Sequence, residues 1–348
     1  MPIKYTSKWN GRYYNDIIDV RTPSEYNDDH IPDSINLPVL DNKQRIVIGS
    51  IYKKESPFKA KKLGASLIAN NISKHLKNKL INKPGQWKPL IYCWRGGLRS
   101  KAMATIFSDI GWQVTVLKGG YKTYRSSINT EIDKLIKESK FIVIKGPTGC
   151  AKTKILELLK KQGLSILNLE ELASHKGSLL GNIPYKLQPT QKLFESNIYL
   201  DLKKIKNKKL IFIESESSKI GNLFLPQTIL NKIKTSPAIE IYANIDQRVK
   251  FLLKDYKNYI KENNSFIELF KHAKNKVSKK TLKKWVNFYN NKDWYNLAYY
   301  LIIEYYDPHY THNLNTKKNR IINTYNLLSL STKNLKVFCA NLERSLKK

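Results

Sequence analysis

The chain has 348 residues, of which 62 are lysine or arginine and 28 are acidic, and 41% are hydrophobic. This length predicts two or three globular domains. Three widely spaced cysteines exclude a disulfide framework and a cysteine-based metal cluster, as is typical of a reducing compartment. The chain begins without a signal-peptide pattern, and its longest apolar run, around 297–306, is too short for a membrane span. We therefore expect a cytoplasmic protein with no membrane partner.

The charge balance points to a polyanionic partner. A net charge of +34 attracts nucleic acid through release of its counterions. Tyrosines interleave with lysines, as at Tyr256 and Tyr259, and could offer stacking surfaces for bases. A lysine-rich genomic bias or solvated helix faces would produce the same pattern. The charge alone leaves these explanations open.

The first elements alternate between strands and helices. A short apolar strand ends in Asp19-Val20-Arg21, Thr22-Pro23 begins a helical turn, and a second strand follows near residue 35. Strand, helix and strand recur over residues 89–92, 100–110 and 113–117, and Lys118-Gly119-Gly120-Tyr121 is expected to curl back beside residue 93. This alternation predicts an α/β domain with a parallel sheet over residues 1–130.

A cysteine loop follows the strand at 89–92. A thiol becomes nucleophilic as a thiolate, which backbone N–H groups, a helix N-terminus and a guanidinium all stabilise. The glycines are expected at positive φ, the serine is expected to cap the next helix, and the arginines would bind an anion. The alternative is a buried structural cysteine. The loop residues are Cys93, Arg95, Gly96, Gly97, Arg99 and Ser100.

A second anion site is predicted after a β-branched strand at 140–145. The segment Gly146-Pro-Thr-Gly149-Cys-Ala151-Lys152-Thr153 leads into an amphipathic helix, which is the context of a P-loop. Its N–H groups would wrap a diphosphate, Lys152 would reach the outer oxygens and Thr153 could hold Mg²⁺. Ala151 stands where the pattern has glycine, which leaves open whether a nucleotide or another phosphate binds.

The P-loop domain, with a parallel sheet and a helical C-terminal extension, is predicted over residues 138–348, after a short charged linking helix at 129–139. The strand at 209–217 ends in Glu214 and Glu216, which could orient a metal-bound water, act as a base or cap a helix. No resident metal site is predicted. From about residue 248 the pattern predicts a basic helical region.

These motifs resemble known families. The segments at 19–26 and 30–38, together with the cysteine loop, resemble a rhodanese domain, although five residues separate Cys93 from Arg99, a spacing shared with dual-specificity phosphatases of rhodanese-like fold. A rhodanese domain fused to a P-loop domain resembles the tRNA 2-selenouridine synthases. Further family-like segments are 49–53, 119–125, 169–178, 191–195, 214–221 and 304–310.

The resemblance implies a transferase that converts wobble 2-thiouridine of tRNA to 2-selenouridine. Geranyl diphosphate would first alkylate the sulfur, and selenium from selenophosphate would then replace it, with no tightly bound cofactor. Cys93 would take or steer the selenium, while Arg95 and Arg99 hold the phosphate of the donor. The loop at 146–153 suits a diphosphate leaving group, with Lys152 neutralising its charge. ATP could occupy this loop instead.

Two other function classes compete with this interpretation. The first is a rhodanese-like phosphatase or sulfurtransferase fused to a P-loop domain, although Tyr92 replaces the histidine that such phosphatases usually place before the cysteine. The second is a non-catalytic basic RNA-binding protein, which would tolerate loss of Cys93. The sequence indicates no oligomeric state.

Overall fold

The computed structural model divides the chain into two compact units, Met1–Glu131 and Ile132–Lys348. Each unit contains its own parallel sheet. The described residues are 1–11, 13–178, 180–183, 185–205, 210–257, 264–314 and 319–346.

The first unit is built on a five-stranded parallel sheet with the order β1-β5-β4-β2-β3. All residues of its central strand are buried, and because successive side chains point to opposite faces, both faces of the sheet are covered. Loops at the carboxyl ends of such strands form binding sites. The strands are β1 (Lys4–Thr6), β2 (Asp16–Asp19), β3 (Ser34–Asn36), β4 (Pro89–Tyr92) and β5 (Thr115–Leu117).

The helices of the first unit follow the predicted alternation. The first begins at Thr22, whose hydroxyl accepts the N–H of Glu25 while the Glu25 carboxylate accepts the N–H of Thr22. The charged helix predicted at 129–139 is the second half of a longer helix that begins at Gly120. The helices are α1 (Pro23–Asp28), α2 (Asn42–Lys54), α3 (Pro57–His75, with a π-helical turn at Leu76–Leu80), α4 (Leu98–Asp109) and α5 (Gly120–Glu138).

The second unit contains another five-stranded parallel sheet and a small antiparallel hairpin. The large sheet has the order β12-β11-β6-β8-β7, so the strand before the predicted P-loop lies in its centre. The strands are β6 (Lys140–Lys145), β7 (Ser165–Leu167), β8 (Leu210–Glu214), β9 (Lys219–Ile220), β10 (Leu223–Phe224), β11 (Ala238–Ala243) and β12 (Ile321–Leu327), of which β9 and β10 form the hairpin.

Helices surround this sheet and continue into the C-terminal region. They are α6 (Lys152–Lys161), α7 (Leu169–Ala173), α8 (Gln191–Ile205), α9 (Gln227–Thr235), α10 (Ile245–Asp255), α11 (Asn264–Ala273), α12 (Lys279–Asn290), α13 (Trp294–Leu301, with a π-helical turn at Ile302–Tyr306), α14 (Asp307–Leu314) and α15 (Thr332–Leu346). No helix within the described ranges is both long and apolar enough to cross a bilayer.

The prediction of an entirely helical region after residue 248 is wrong in one segment. β12 lies parallel to β11 at the edge of the second sheet. Its isoleucines, threonine and tyrosine favour a strand, and Tyr325 packs edge-on against Phe338 with ring centroids 5.0 Å apart. A prediction from composition missed it because a single strand becomes stable only where a sheet edge accepts it.

Candidate functional site

Cys93 lies directly after β4, with 3% of its surface exposed. Its Sγ accepts a hydrogen bond from the N–H of Gly97 at 3.2 Å and lies 3.2 Å from the Ser100 hydroxyl. The N–H of Gly97 stabilises negative charge on the sulfur. The structure therefore joins the thiol to the glycine and serine predicted to form its loop.

The turn at Gly119 and Gly120 fixes the backbone of the cysteine loop. Gly96 has φ of +66°, and a Cβ there would lie 2.7 Å from the carbonyl oxygen of Leu117. The carbonyl of Cys93 accepts the N–H of Tyr121 at 2.8 Å. A Cβ at Gly120 would collide with that same carbonyl. The prediction that this turn curls beside Cys93 is confirmed, and both glycines allow the close approach.

Two details of the predicted loop are wrong. Gly97 has φ of −96° and is the N-cap of α4, so it does not adopt the positive φ expected of it. Ser100 lies inside that helix and does not cap it; its hydroxyl donates to the carbonyl of Gly97 at 3.0 Å. The helix begins at Leu98, earlier than predicted, and the N–H of its N-cap Gly97 points to the thiol.

The two arginines of the loop have different surroundings. Arg95 is exposed. The guanidinium of Arg99 donates to both carboxylate oxygens of Glu25, at 2.7 and 3.1 Å. Burial raises the pKa of Glu25, but hydrogen bonds and charge from Arg99, with hydrogen bonds from Thr22, lower it to below its usual value of 4.5. An anion bound by Arg99 would share that guanidinium with Glu25.

The Glu25 carboxylate should stabilise the fold only where it is ionised. Its lowered pKa means that the contribution is present above about pH 4.5 and is lost as the pH falls through the folded-state pKa. We expect Glu25→Gln to lower the free energy of unfolding by about 1 kcal/mol at pH 7. As the pH falls through the folded-state pKa of Glu25, the two proteins should converge, as measured by urea denaturation across the acid range.

A matched control is Glu55→Gln. Glu55 pairs with Lys59 at 2.6 Å in an exposed contact. Exposed pairs of this kind contribute less than about 0.5 kcal/mol. A loss in Glu25→Gln that does not shrink as the pH is lowered through the acid range would contradict the charged pairing with Arg99.

Buried contacts connect the Asp19-Val20-Arg21 motif at the end of β2 to the turn beside the cysteine loop. Arg21 is 1% exposed, and its guanidinium donates to the Asp19 carboxylate at 2.7 Å and to the carbonyl of Asp29 at 2.7 Å. The same guanidinium lies 4.0 Å from the ring centroid of Tyr121, whose hydroxyl donates to the Asp29 carboxylate. This buried network links the strand ends to the turn that holds Cys93, and it serves positioning because its charges are paired.

The second predicted site is a phosphate loop, residues 146–153, between β6 and α6. Gly146 has φ of +154°, and a Cβ there would collide with the carbonyl oxygen of Ile241. Gly149 has φ of +86° and lies against α10. The buried Arg248 of that helix donates to the carbonyl of Thr148 at 2.8 Å and pairs with Asp307 at 2.6 Å. Strand, helix and guanidinium together fix the path of the loop.

Ala151 adopts a left-handed backbone conformation, with φ of +58° and ψ of +25°. It is the N-cap of α6 and 4% exposed. The left-handed conformation costs a residue with a Cβ about 1 kcal/mol or more, whereas glycine adopts it without strain. The P-loop pattern therefore has glycine at the position of Ala151 because the backbone there is left-handed.

Replacing Ala151 with glycine should stabilise the chain. We expect Ala151→Gly to raise the free energy of unfolding by about 1 kcal/mol in urea denaturation, because the strain at positive φ is removed. The matched control is Ala340→Gly within α15, which should destabilise by about 1 kcal/mol. A loss of stability in both variants would contradict the left-handed assignment.

Lys152 and Thr153 face carboxylates at the end of β8. The Lys152 ammonium lies 3.5 Å from Glu214, and the Thr153 hydroxyl lies 2.8 Å from Glu214 and 3.0 Å from Glu170. Burial lowers the pKa of Lys152, but Glu214 first, then Cys150, Glu216 and Glu170, raise it to above its usual value. Lys152 is therefore held as a cation in the loop.

The structure brings together three carboxylates, those of Glu170, Glu214 and Glu216, with ligand oxygens within 4.8 Å of one another. Burial, and then the charges of the other two, raise the pKa of Glu170 to about 9. Carboxylate oxygens beside a P-loop threonine are ligands that Mg²⁺ prefers, so these residues fit a divalent cation. A bound cation would keep the group ionised by supplying the missing positive charge.

Sequence reasoning named Glu214 and Glu216 and missed Glu170. Glu170 closely follows β7, and in the structure β7 pairs with β8 in parallel. Carboxyl ends of neighbouring parallel strands meet at one sheet edge. The order of the strands, which the sequence does not state, was the missing information.

A cleft of about 670 Å³ opens above the phosphate loop. It is lined by the loop, by the three carboxylates and by residues of α10 and of the segment around Tyr306 and Tyr310. Among the predicted residues, Gly146, Gly149, Lys152, Thr153, Glu214 and Glu216 all line it. The cleft thus offers backbone donors and a lysine for phosphate, with a carboxylate in contact with that lysine.

Family models match both units of the chain. The rhodanese-like domain model matches residues 5–127. A model described as the tRNA 2-selenouridine synthase AAA domain matches residues 139–292. The first match contains the cysteine loop, and the second contains the phosphate loop and all three carboxylates.

Several relatives are named tRNA 2-selenouridine synthase. The protein of Nitrosomonas europaea is 30% identical over 69% of this chain and 63% of its own length. That of Bdellovibrio bacteriovorus is 32% identical over 69% of this chain and 64% of its own. That of Psychromonas ingrahamii is 28% identical over 88% of this chain and 89% of its own. The match thus spans less than two thirds of the first two relatives.

Proposed function

Because the chain belongs to the tRNA 2-selenouridine synthase family, we propose that it converts 2-thiouridine at the tRNA wobble position to 2-selenouridine. The reaction passes through S-geranyl-2-thiouridine and uses geranyl diphosphate and selenophosphate. The observation that carries the proposal is the presence in one chain of two strand–loop–helix sites, one with a buried thiol and one with a half-buried lysine. Three free cysteines suit a reducing, cytoplasmic setting.

The phosphate loop serves the first step. The sulfur of 2-thiouridine attacks C1 of the geranyl chain, the C1–O bond breaks, the diphosphate leaves and the base loses its N3 proton. The N–H groups around Gly149 and the Lys152 ammonium stabilise the charge that grows on the diphosphate. Of the three carboxylates, Glu214 is best placed to orient a cation on the diphosphate, because it contacts both Lys152 and Thr153.

The cysteine loop serves the second step. Selenium attacks C2 of the base, the C2–S bond breaks and geranylthiol leaves with a proton, after which water cleaves the Se–P bond and releases phosphate. Cys93 contacts and steers the selenium, and the exposed Arg95 with Arg99 binds the phosphate. The net charge of +34 attracts the tRNA to both steps.

Mass spectrometry of nucleosides tests the proposal. With 2-thiouridine tRNA and geranyl diphosphate, we expect S-geranyl-2-thiouridine to accumulate. Adding selenophosphate should convert it to 2-selenouridine. If neither product forms with the full set of substrates, the proposal fails.

The loop length favours a second candidate function. Five residues separate Cys93 from Arg99, which suits a phosphocysteine intermediate in a rhodanese-like phosphatase. Steady hydrolysis of p-nitrophenyl phosphate that depends on Cys93 would support it. Selenium transfer without hydrolysis of p-nitrophenyl phosphate would support the synthase function instead.

A further inference from the structure

An apolar pocket lies beside the phosphate loop, and we propose that it binds the hydrocarbon chain of a prenyl diphosphate whose diphosphate group rests on that loop. The inference rests on the proposed function and assigns the part of the substrate that the loop cannot bind. The pocket is lined by Thr148, Ser178, Leu180, Leu252, Leu253, Tyr256, Phe266, Trp294, Leu297, Ala298, Leu301, Ile302 and Tyr306.

The pocket and the phosphate cleft adjoin each other. Thr148, Ser178, Leu252, Tyr256 and Tyr306 line both. Thr148 belongs to the phosphate loop itself, so the pocket lies directly beside that loop. A ligand with a charged head and an apolar tail matches both surfaces, because the head needs donors and the tail needs to avoid water.

The pocket wall is almost entirely hydrocarbon and aromatic. Leu297 and Leu301 are 1% and 3% exposed and present the inner face of α13. Phe266 and Trp294 line the pocket but not the cleft, with ring centroids 5.7 Å apart. The pocket has a volume of only about 80 Å³, which limits the length of chain that fits and favours a short prenyl group over a long one.

A nucleobase fits this wall poorly. The hydroxyls of Ser178 and Tyr256 lie 3.1 Å apart and face each other. Burial raises the pKa of Tyr256 and Tyr306 well above that of a solvated phenol, as expected of apolar surroundings. A buried base edge without hydrogen-bond partners costs free energy, whereas a hydrocarbon chain needs none. The pocket therefore favours a prenyl chain over the base of a nucleotide.

Calorimetric titration of the full chain tests the inference with a ligand series: inorganic diphosphate, dimethylallyl diphosphate, geranyl diphosphate and farnesyl diphosphate. We expect affinity to rise at least about tenfold from inorganic diphosphate to geranyl diphosphate, since each buried methylene adds to binding. Affinity should not rise further for farnesyl diphosphate. ATP should not bind more tightly than inorganic diphosphate.

Ala298→Leu fills the pocket from a half-buried position on α13. We expect this variant to lose at least about tenfold in affinity for geranyl diphosphate and to bind inorganic diphosphate as the wild type does. Ala298→Ser, which adds almost no bulk, is the matched control and should stay within about threefold of the wild type. Unchanged binding of inorganic diphosphate also establishes that each variant is folded.

The outcomes separate the two proposals. Equal affinity of the wild type for inorganic and geranyl diphosphate overturns the pocket assignment. Tight geranyl diphosphate binding that Ala298→Leu leaves unchanged overturns it as well, while the loop assignment stands. Failure of the wild type to bind any diphosphate overturns both.

Discussion

A Cys93→Ser variant is expected to bind 2-thiouridine tRNA as the wild type does and to lose selenium incorporation by roughly 10³-fold or more. The hydroxyl that replaces the thiol contacts selenium poorly, because oxygen is far less polarizable than sulfur. Prenyl transfer, which we assign to the phosphate loop, should continue, so S-geranyl-2-thiouridine should accumulate in the presence of selenophosphate.

The geometry makes serine a conservative replacement in every respect except chemistry. The N–H of Gly97 and the hydroxyl of Ser100, both 3.2 Å from the sulfur, can bind an oxygen as well. The carbonyl contact to Tyr121 involves only the backbone of residue 93. A loss of activity in this variant therefore reports on the sulfur itself.

The matched control is Cys339→Ala. Cys339 is fully buried in the apolar core of the second unit, where its Sγ lies 3.9 Å from the carbonyl of Ile155. Losing this thiol should lower the free energy of unfolding. Both S-geranyl-2-thiouridine and 2-selenouridine should still form. Full selenation by Cys93→Ser, measured by nucleoside mass spectrometry, would remove Cys93 from the mechanism.

Local patterns were sufficient to predict the features that depend on adjacent residues. The strand at Lys140–Lys145, the helix after Thr22 and the turn of Gly119 and Gly120 follow from propensity, capping and backbone freedom. Parallel α/β alternation predicted both sheets for the same reason: short strands separated by helices leave few other arrangements.

Features that depend on distant residues could not be predicted in this way. Arg99 pairs with Glu25, 74 positions away, and Thr153 contacts Glu214, 61 positions away. The sequence contains each of these arginine, threonine and carboxylate residues but does not show which of them contact one another. Glu170 joined the cluster because of strand order, which is set by packing of the whole sheet.

Lys152→Ala is expected to reduce geranyl transfer by about 10²- to 10³-fold, the usual cost of removing one donor to a developing charge. Because the Lys152 ammonium lies 3.5 Å from Glu214, its loss also leaves the Glu214 carboxylate with less compensating charge. Diphosphate binding should weaken for both reasons. Selenation of tRNA that already carries S-geranyl-2-thiouridine should proceed, since that step uses the cysteine loop.

Pre-geranylated tRNA makes this experiment specific to one loop. Lys160→Ala is the matched control, because Lys160 lies on the same helix in an exposed pair with Glu171 at 3.2 Å. It should retain both steps. If Lys152→Ala lost selenation of pre-geranylated tRNA to the same extent as geranyl transfer, the division of labour between the two loops would be wrong. Unchanged geranyl transfer would instead place the prenyl diphosphate elsewhere and leave the phosphate loop to a nucleotide.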